Sequence, residues 1–127
     1  MFRCDNSDEI KGGILVYTSS KLSVNIPKSK KLMNLKSAFK ECLLLDIHVN
    51  GETVLFGAVY RKGASTAQNN KILRDIIDIS SNNYEKVLYC GDVNFPSIKW
   101  PQNIVEDTNF SPAMTFYDCL RDSFKRL

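Results

Sequence analysis

A carboxylate and a carboxamide two positions apart, directly after an apolar run, form the clearest chemical feature of this sequence. In Tyr89-Cys90-Gly91-Asp92-Val93-Asn94-Phe95-Pro96-Ser97-Ile98-Lys99-Trp100, a strand-like segment empties into a glycine and then into Asp92 and Asn94. Ligands of covered α/β sheets collect just outside the carboxyl ends of strands, which is where this pair would stand. A carboxylate there can prepare a water molecule or offer oxygen to a hard metal ion, and an amide can hold a phosphate. That combination suits phosphodiester hydrolysis. The same Gly-Asp-x-Asn pattern also reads as a plain turn whose side chains bond their own backbone. The pattern alone leaves both readings open.

Other chemistry-bearing residues are less informative. His48 is the only histidine and falls just before an Asn-Gly turn, where it reads as a rim or packing residue. Cys4, Cys42, Cys90 and Cys119 stand far apart without a Cys-x-x-Cys pair, so neither a zinc knuckle nor a redox motif is indicated. Three of them lie in apolar contexts and read as small buried hydrophobes in a reducing, intracellular compartment.

The elements that must position Asp92 and Asn94 follow from periodicity. Cys42 to Val49 and Thr53 to Tyr60 are strand-like, and Asn50-Gly51 between them tolerates positive φ at both turn positions, so an antiparallel hairpin is expected. Val54 to Val59 is apolar on both faces, as an inner strand should be. Ser65-Thr66 can cap a helix carrying Ile72, Leu73, Ile76 and Ile77 on one face, which Asn82-Asn83 break. Val87 to Cys90 then reads as a short buried strand. Upstream, a polar loop leads through Gly12-Gly13 into a buried strand at Ile14 to Tyr17. Lys21 to Ile26 resembles an edge strand stopped by Pro27, and the lysine-rich stretch to Lys40 reads mostly as loop. Ser111-Pro112 opens a last helix whose apolar stripe of Phe116, Cys119, Leu120, Phe124 and Leu127 is still running at the final residue. The natural domain is therefore expected to continue. Hairpin, helix and strand together indicate an α/β sandwich.

Composition sets the outer bounds. The chain has 127 residues, 43% of them hydrophobic and 24% charged, which fits one globular domain. A formal charge of +3 from 17 basic and 14 acidic residues is too mild to imply nucleic acid. Lys21, Lys28, Lys30, Lys31, Lys36 and Lys40 crowd one stretch, however, as a solvated loop or a phosphate-binding patch. No apolar run approaches the ~20 residues of a bilayer span, so no membrane partner is expected.

The order of these segments resembles a known family. Gly91-Asp92-Val93-Asn94-Phe95-Pro96-Ser97-Ile98-Lys99-Trp100 is similar to the Gly-Asp-Phe-Asn-x-Pro-x-Ile-x-Trp stretch of non-LTR retrotransposon endonuclease domains, within the endonuclease/exonuclease/phosphatase superfamily. Gly12 to Tyr17 resembles their Gly-Gly-Val-x-x-Tyr strand, Glu41 to Leu44 their Glu-x-Leu-x strand, and Ala58-Val59-Tyr60-Arg61 their Val-Tyr-Arg segment. The resemblance implies that residues 1–127 are a partial domain of the two-sheet α/β sandwich, lacking the N-terminal and C-terminal strands of the family. It implies catalytic roles for Asp92, which would align and deprotonate water, for Asn94, which would contact the phosphate, and for Tyr60, whose hydroxyl would face the scissile group. Tyr60 equally reads as a strand-end aromatic whose ring packs and whose hydroxyl meets solvent. Arg61 would contact a nucleic-acid backbone, or simply be solvated.

The departures carry weight too. Before Gly12 there is no segment for the family's asparagine strand or its metal-binding glutamate, and His48 cannot match the late catalytic histidine. Lys62-Gly63 replaces the usual Pro-Pro and loosens the loop after Tyr60. No metal ligand is assigned in this chain, and Mg²⁺, the cofactor of the complete family domain, is expected to bind weakly or not at all. The expectation is a fragment of an Mg²⁺-dependent DNA endonuclease, inactive alone, with DNA and a linked reverse transcriptase as partners of the full element, in nucleus or cytoplasm. Two alternatives stand beside it: a non-catalytic remnant that binds through its lysines or exposed sheet, and a phosphoesterase of the same superfamily with a non-DNA substrate.

Overall fold

The computed structural model describes residues 1–5 and 13–124. Its order is β1 (Phe2–Asp5), β2 (Gly13–Val16), β3 (Ser23–Asn25), α1 (Lys30–Ala38), β4 (Cys42–Val49), β5 (Glu52–Tyr60), α2 (Ala67–Asn83), β6 (Lys86–Asp92), β7 (Ile98–Lys99), β8 (Ile104–Val105) and α3 (Pro112–Ser123). The architecture is mixed α/β. Among the described residues, a four-stranded sheet in the order β3-β4-β5-β6 is accompanied by two-stranded sheets β1-β2 and β7-β8.

The hairpin forms as expected. Asn50 and Gly51 take φ of 51° and 79°, and the turn sets Val49 opposite Glu52 and Cys42 opposite Val59. From Tyr60 the chain crosses over through α2 and returns as β6, parallel to β5, with Tyr60 opposite Asp92 at the far end of the ladder. A parallel neighbour requires such a crossover, and α2 supplies it. Thr66 caps α2 by accepting the Asn69 N–H at 3.1 Å, and Leu73, Ile76 and Ile77 turn inward. Ser111 caps α3 in the same way, with Pro112 in its first turn. Leu127, the last residue of the expected stripe, lies outside the described residues.

The sheet is packed on both faces, unequally. Cys42, Leu44, Leu55 and Val59 meet Leu73, Ile76, Phe95 and Phe116 on the helical side. On the other side, Leu43, Leu45 and Ala58 gather Phe2, Cys4, Ile14 and Val16 from β1 and β2. Gly57 is required where β5 passes β6, because a Cβ there would lie 2.3 Å from the Tyr89 ring. The ring fills that space, and its hydroxyl shares a 2.6 Å hydrogen bond with Ser80 of α2.

Four expectations are corrected. The lysine-rich segment is not mostly loop, because Ser29 caps α1 and Leu32 and Phe39, 0% and 1% exposed, anchor it. The opening is not loop throughout, because Phe2–Asp5 form a strand, β1, paired antiparallel with β2, while residues 6–12 of the expected loop lie outside the described residues. Ile14 to Val16 alternates instead of being buried throughout, leaving Leu15 51% exposed. Finally, Val87 to Cys90 is not an interior strand: β6 ends the sheet order, and its residues alternate between half-buried and exposed.

Candidate functional site

Glycine creates the local geometry at the mouth of β6. Gly91 has φ +133°, and a Cβ there would come within 1.9 Å of the Val59 carbonyl oxygen, so only glycine permits β6 to run this close to β5. The ladder consequently continues to its last rung, and the Arg61 N–H donates to the Asp92 carbonyl at 2.8 Å. Asp92 then accepts the Asn94 N–H through Oδ1 at 2.8 Å, while Asn94 takes φ +53°. This is the self-bonded turn that one reading of the sequence anticipated. It also fixes the direction of the Asp92 side chain.

Tyr60, Asp92 and Asn94 are all exposed. Tyr60 and Asp92 are paired residues of adjacent strands and share one face of the sheet. Glu41 joins the row across the hairpin, since its carbonyl accepts the Tyr60 N–H at 3.0 Å, and Lys62 approaches its carboxylate at 3.6 Å. Asn94 reaches over to the loop after β5, where its amide would lie 3.2 Å from a Cβ on Gly63. Asp92 and Asn94 form the polar rim of a cleft of about 600 Å³ whose inner wall is apolar, built from Val59, Leu73, Ile77 and Phe116.

No family model, curated protein or solved structure matches this chain significantly.

Arg61 is placed differently from the expectation of a solvated or nucleic-acid-contacting side chain. It is 4% exposed and points inward. Its Nε donates to Asn70 Oδ1 at 2.8 Å, and its Nη1 donates to the carbonyls of Val93 at 3.0 Å and Asn94 at 2.9 Å. The guanidinium carbon lies 3.6 Å from the centroid of the Phe95 ring, whose own centroid is 5.0 Å from that of Phe116. Burial lowers the Arg61 pKa below its ordinary value, though a guanidinium titrates so high that it stays charged. Arg61 therefore positions the loop bearing Asp92 and Asn94. Sequence reasoning missed this role because the acceptors are two backbone carbonyls and an asparagine on the next helix, none of which a local pattern marks.

His48 stands at the opposite end of the hairpin, between Asn25 at 3.0 Å and Thr53 at 3.1 Å. Its reading as a rim residue agrees with this position. Among the described residues no three of His, Cys, Asp and Glu gather as a metal cluster. At the mouth of β6, Asp92 Oδ1 accepts the Asn94 N–H, and Glu41, the other carboxylate of the row, faces Lys62. Likewise, no helix among the described residues is long and apolar enough to cross a membrane.

Proposed function

We propose that this chain carries the phosphate-facing part of a phosphodiester-hydrolysing DNA endonuclease of the non-LTR retroelement type, a partial two-sheet sandwich of the endonuclease/exonuclease/phosphatase fold that does not turn over substrate alone. One observation carries the reading: Tyr60 and Asp92 stand opposite each other at two adjoining strand ends, and Asp92 and Asn94 together form the rim of a cleft. In this proposal Asp92 orients and deprotonates the attacking water, the Asn94 amide donates to a phosphate oxygen, and the Tyr60 hydroxyl faces the scissile group. Arg61 holds the loop and does not touch DNA. Mg²⁺ belongs to the complete domain, where it would stabilise charge on the phosphate. In this proposal, as the resemblance implies, the parent protein works in the nucleus or cytoplasm, linked to a reverse transcriptase.

Two measurements test the proposal. Incubated with supercoiled plasmid and Mg²⁺, the chain is expected to leave it unnicked; turnover that Asp92→Ala abolishes would overturn the inactivity. The coding sequence on either side is expected to contain an in-frame glutamate strand upstream, with an aspartate-histidine pair and a reverse transcriptase downstream. Their absence would sink the nuclease reading.

The side of β6 left exposed among the described residues favours a second reading, a non-catalytic binding module. Leu88 is 57% exposed there, and apolar surface beside an open strand edge invites a partner.

A further inference from the structure

The outer edge of β6 pairs with no other strand among the described residues. Its open face presents Lys86, Leu88, Cys90 and Asp92, all exposed and alternating as the pleat requires. This run has an unusual symmetry. If a second copy lies antiparallel along the edge with Tyr89 opposite Tyr89, Lys86 of each copy falls opposite Asp92 of the other, and Leu88 falls opposite Cys90. Each cationic end meets an anionic one twice, and apolar side chains meet between them. On the sheet's other face, Val87 of one copy meets Gly91 of the other, where no side chain competes for space.

We propose that β6 is a self-complementary docking edge through which two copies of this chain form a two-fold dimer with a continuous sheet. Charge complementarity selects this register. A slip of two residues along the edge removes both Lys86–Asp92 pairs, and a slip of one turns the apolar pair away from its counterpart. The two-fold also closes the assembly, because the edge that each copy offers is consumed by the other. Lys86 already meets Glu52 across the sheet, but an ammonium has three donors and can serve both carboxylates. One strand pair is small beside the ~1,200–2,000 Å² of a standard interface, so the dimer is weak and concentration-dependent. The inference does not rest on the nuclease reading, and it places the second copy at the mouth occupied by Asp92.

The test is a charge exchange read by sedimentation velocity over a range of concentrations. The wild-type chain is expected to pass reversibly from monomer to dimer. Lys86→Glu and Asp92→Lys, each alone, place two like-charged pairs in the interface and should weaken dimerisation about tenfold or more. Mixed in equal amounts, the two variants should dimerise with each other, because both pairs then join opposite charges. Leu88→Glu, at an exposed position, should abolish the dimer while leaving the circular dichroism spectrum unchanged. A wild-type chain that stays monomeric or grows into open-ended oligomers would overturn the proposal. So would single variants that dimerise as the wild type does, a mixture of folded variants that stays monomeric, or a Leu88→Glu dimer as tight as the original.

Discussion

β5 and β6 are neighbours in one sheet with similarly apolar sequences, yet they experience different surroundings. β5 has a strand on each side and cover on both faces, so Leu55 is 0% exposed and Ala58 and Val59 are 7% and 4% exposed. Among the described residues, β6 has one neighbouring strand, and helices cover only one face. Val87 and Tyr89 pack inward, while Leu88 is 57% exposed. An apolar run thus reports that a strand forms; what lies over it depends on distant parts of the chain.

The largest break in this comparison should come from the covered strand. Leu55→Ala is expected to cost ~2–5 kcal/mol in urea unfolding, because the packed site leaves a cavity that can collapse only partly. A loss below ~1 kcal/mol would mean that the β5 core is looser than described.

Next in size is the link between the two strand ends. Arg61→Leu should cost ~1–3 kcal/mol by leaving Asn70 and the Val93 and Asn94 carbonyls without their donor. Amide exchange should then accelerate across residues 92–95 before it does so in the hairpin. Uniform acceleration across the sheet would contradict a local positioning role.

The two faces also differ in thiol chemistry. Burial pushes the Cys42 thiol up from 9.0 to about 12, so the folded chain keeps this proton where the unfolded chain has lost it. The unfolded state binds fewer protons above pH 9, and stability should therefore fall as pH rises from about 9 towards 12. Cys90 is exposed and Cys42 buried, so a maleimide at neutral pH should label Cys90 in the native protein and reach Cys42 only on unfolding. Equal labelling rates would remove the distinction between the faces.

The smallest effect belongs to the open strand. Leu88→Ala should change stability by no more than ~0.5 kcal/mol at concentrations where the chain is monomeric. A loss comparable to that of Leu55→Ala would show that something covers β6.

Much of the framework was legible because its signals are local. Asn50-Gly51 marks the hairpin, Thr66 and Ser111-Pro112 mark two helix starts, and Gly91-Asp92-x-Asn94 marks a strand end. α1 was not legible, since its inward stripe of buried Leu32 and Phe39 and half-buried Leu35 is narrow and set among lysines, although lysine itself favours helix. β1 escaped because a four-residue strand exists only through its pairing with β2. The edge position of β6 and the inward turn of Arg61 both depend on contacts across tens of residues. Of the candidate site, the identities of Asp92 and Asn94 could be read in sequence, but the strut beneath them could not.

That strut has a consequence for how the chain can vary. One guanidinium fastens a helix to the backbone of a distant loop while stacking on an aromatic ring, so positions 61, 70 and 95 form a mechanical unit despite their separation. Substitutions there should combine non-additively. Paired changes that preserve the clamp would be better tolerated than either change alone, so drift at this corner would proceed in coordinated steps.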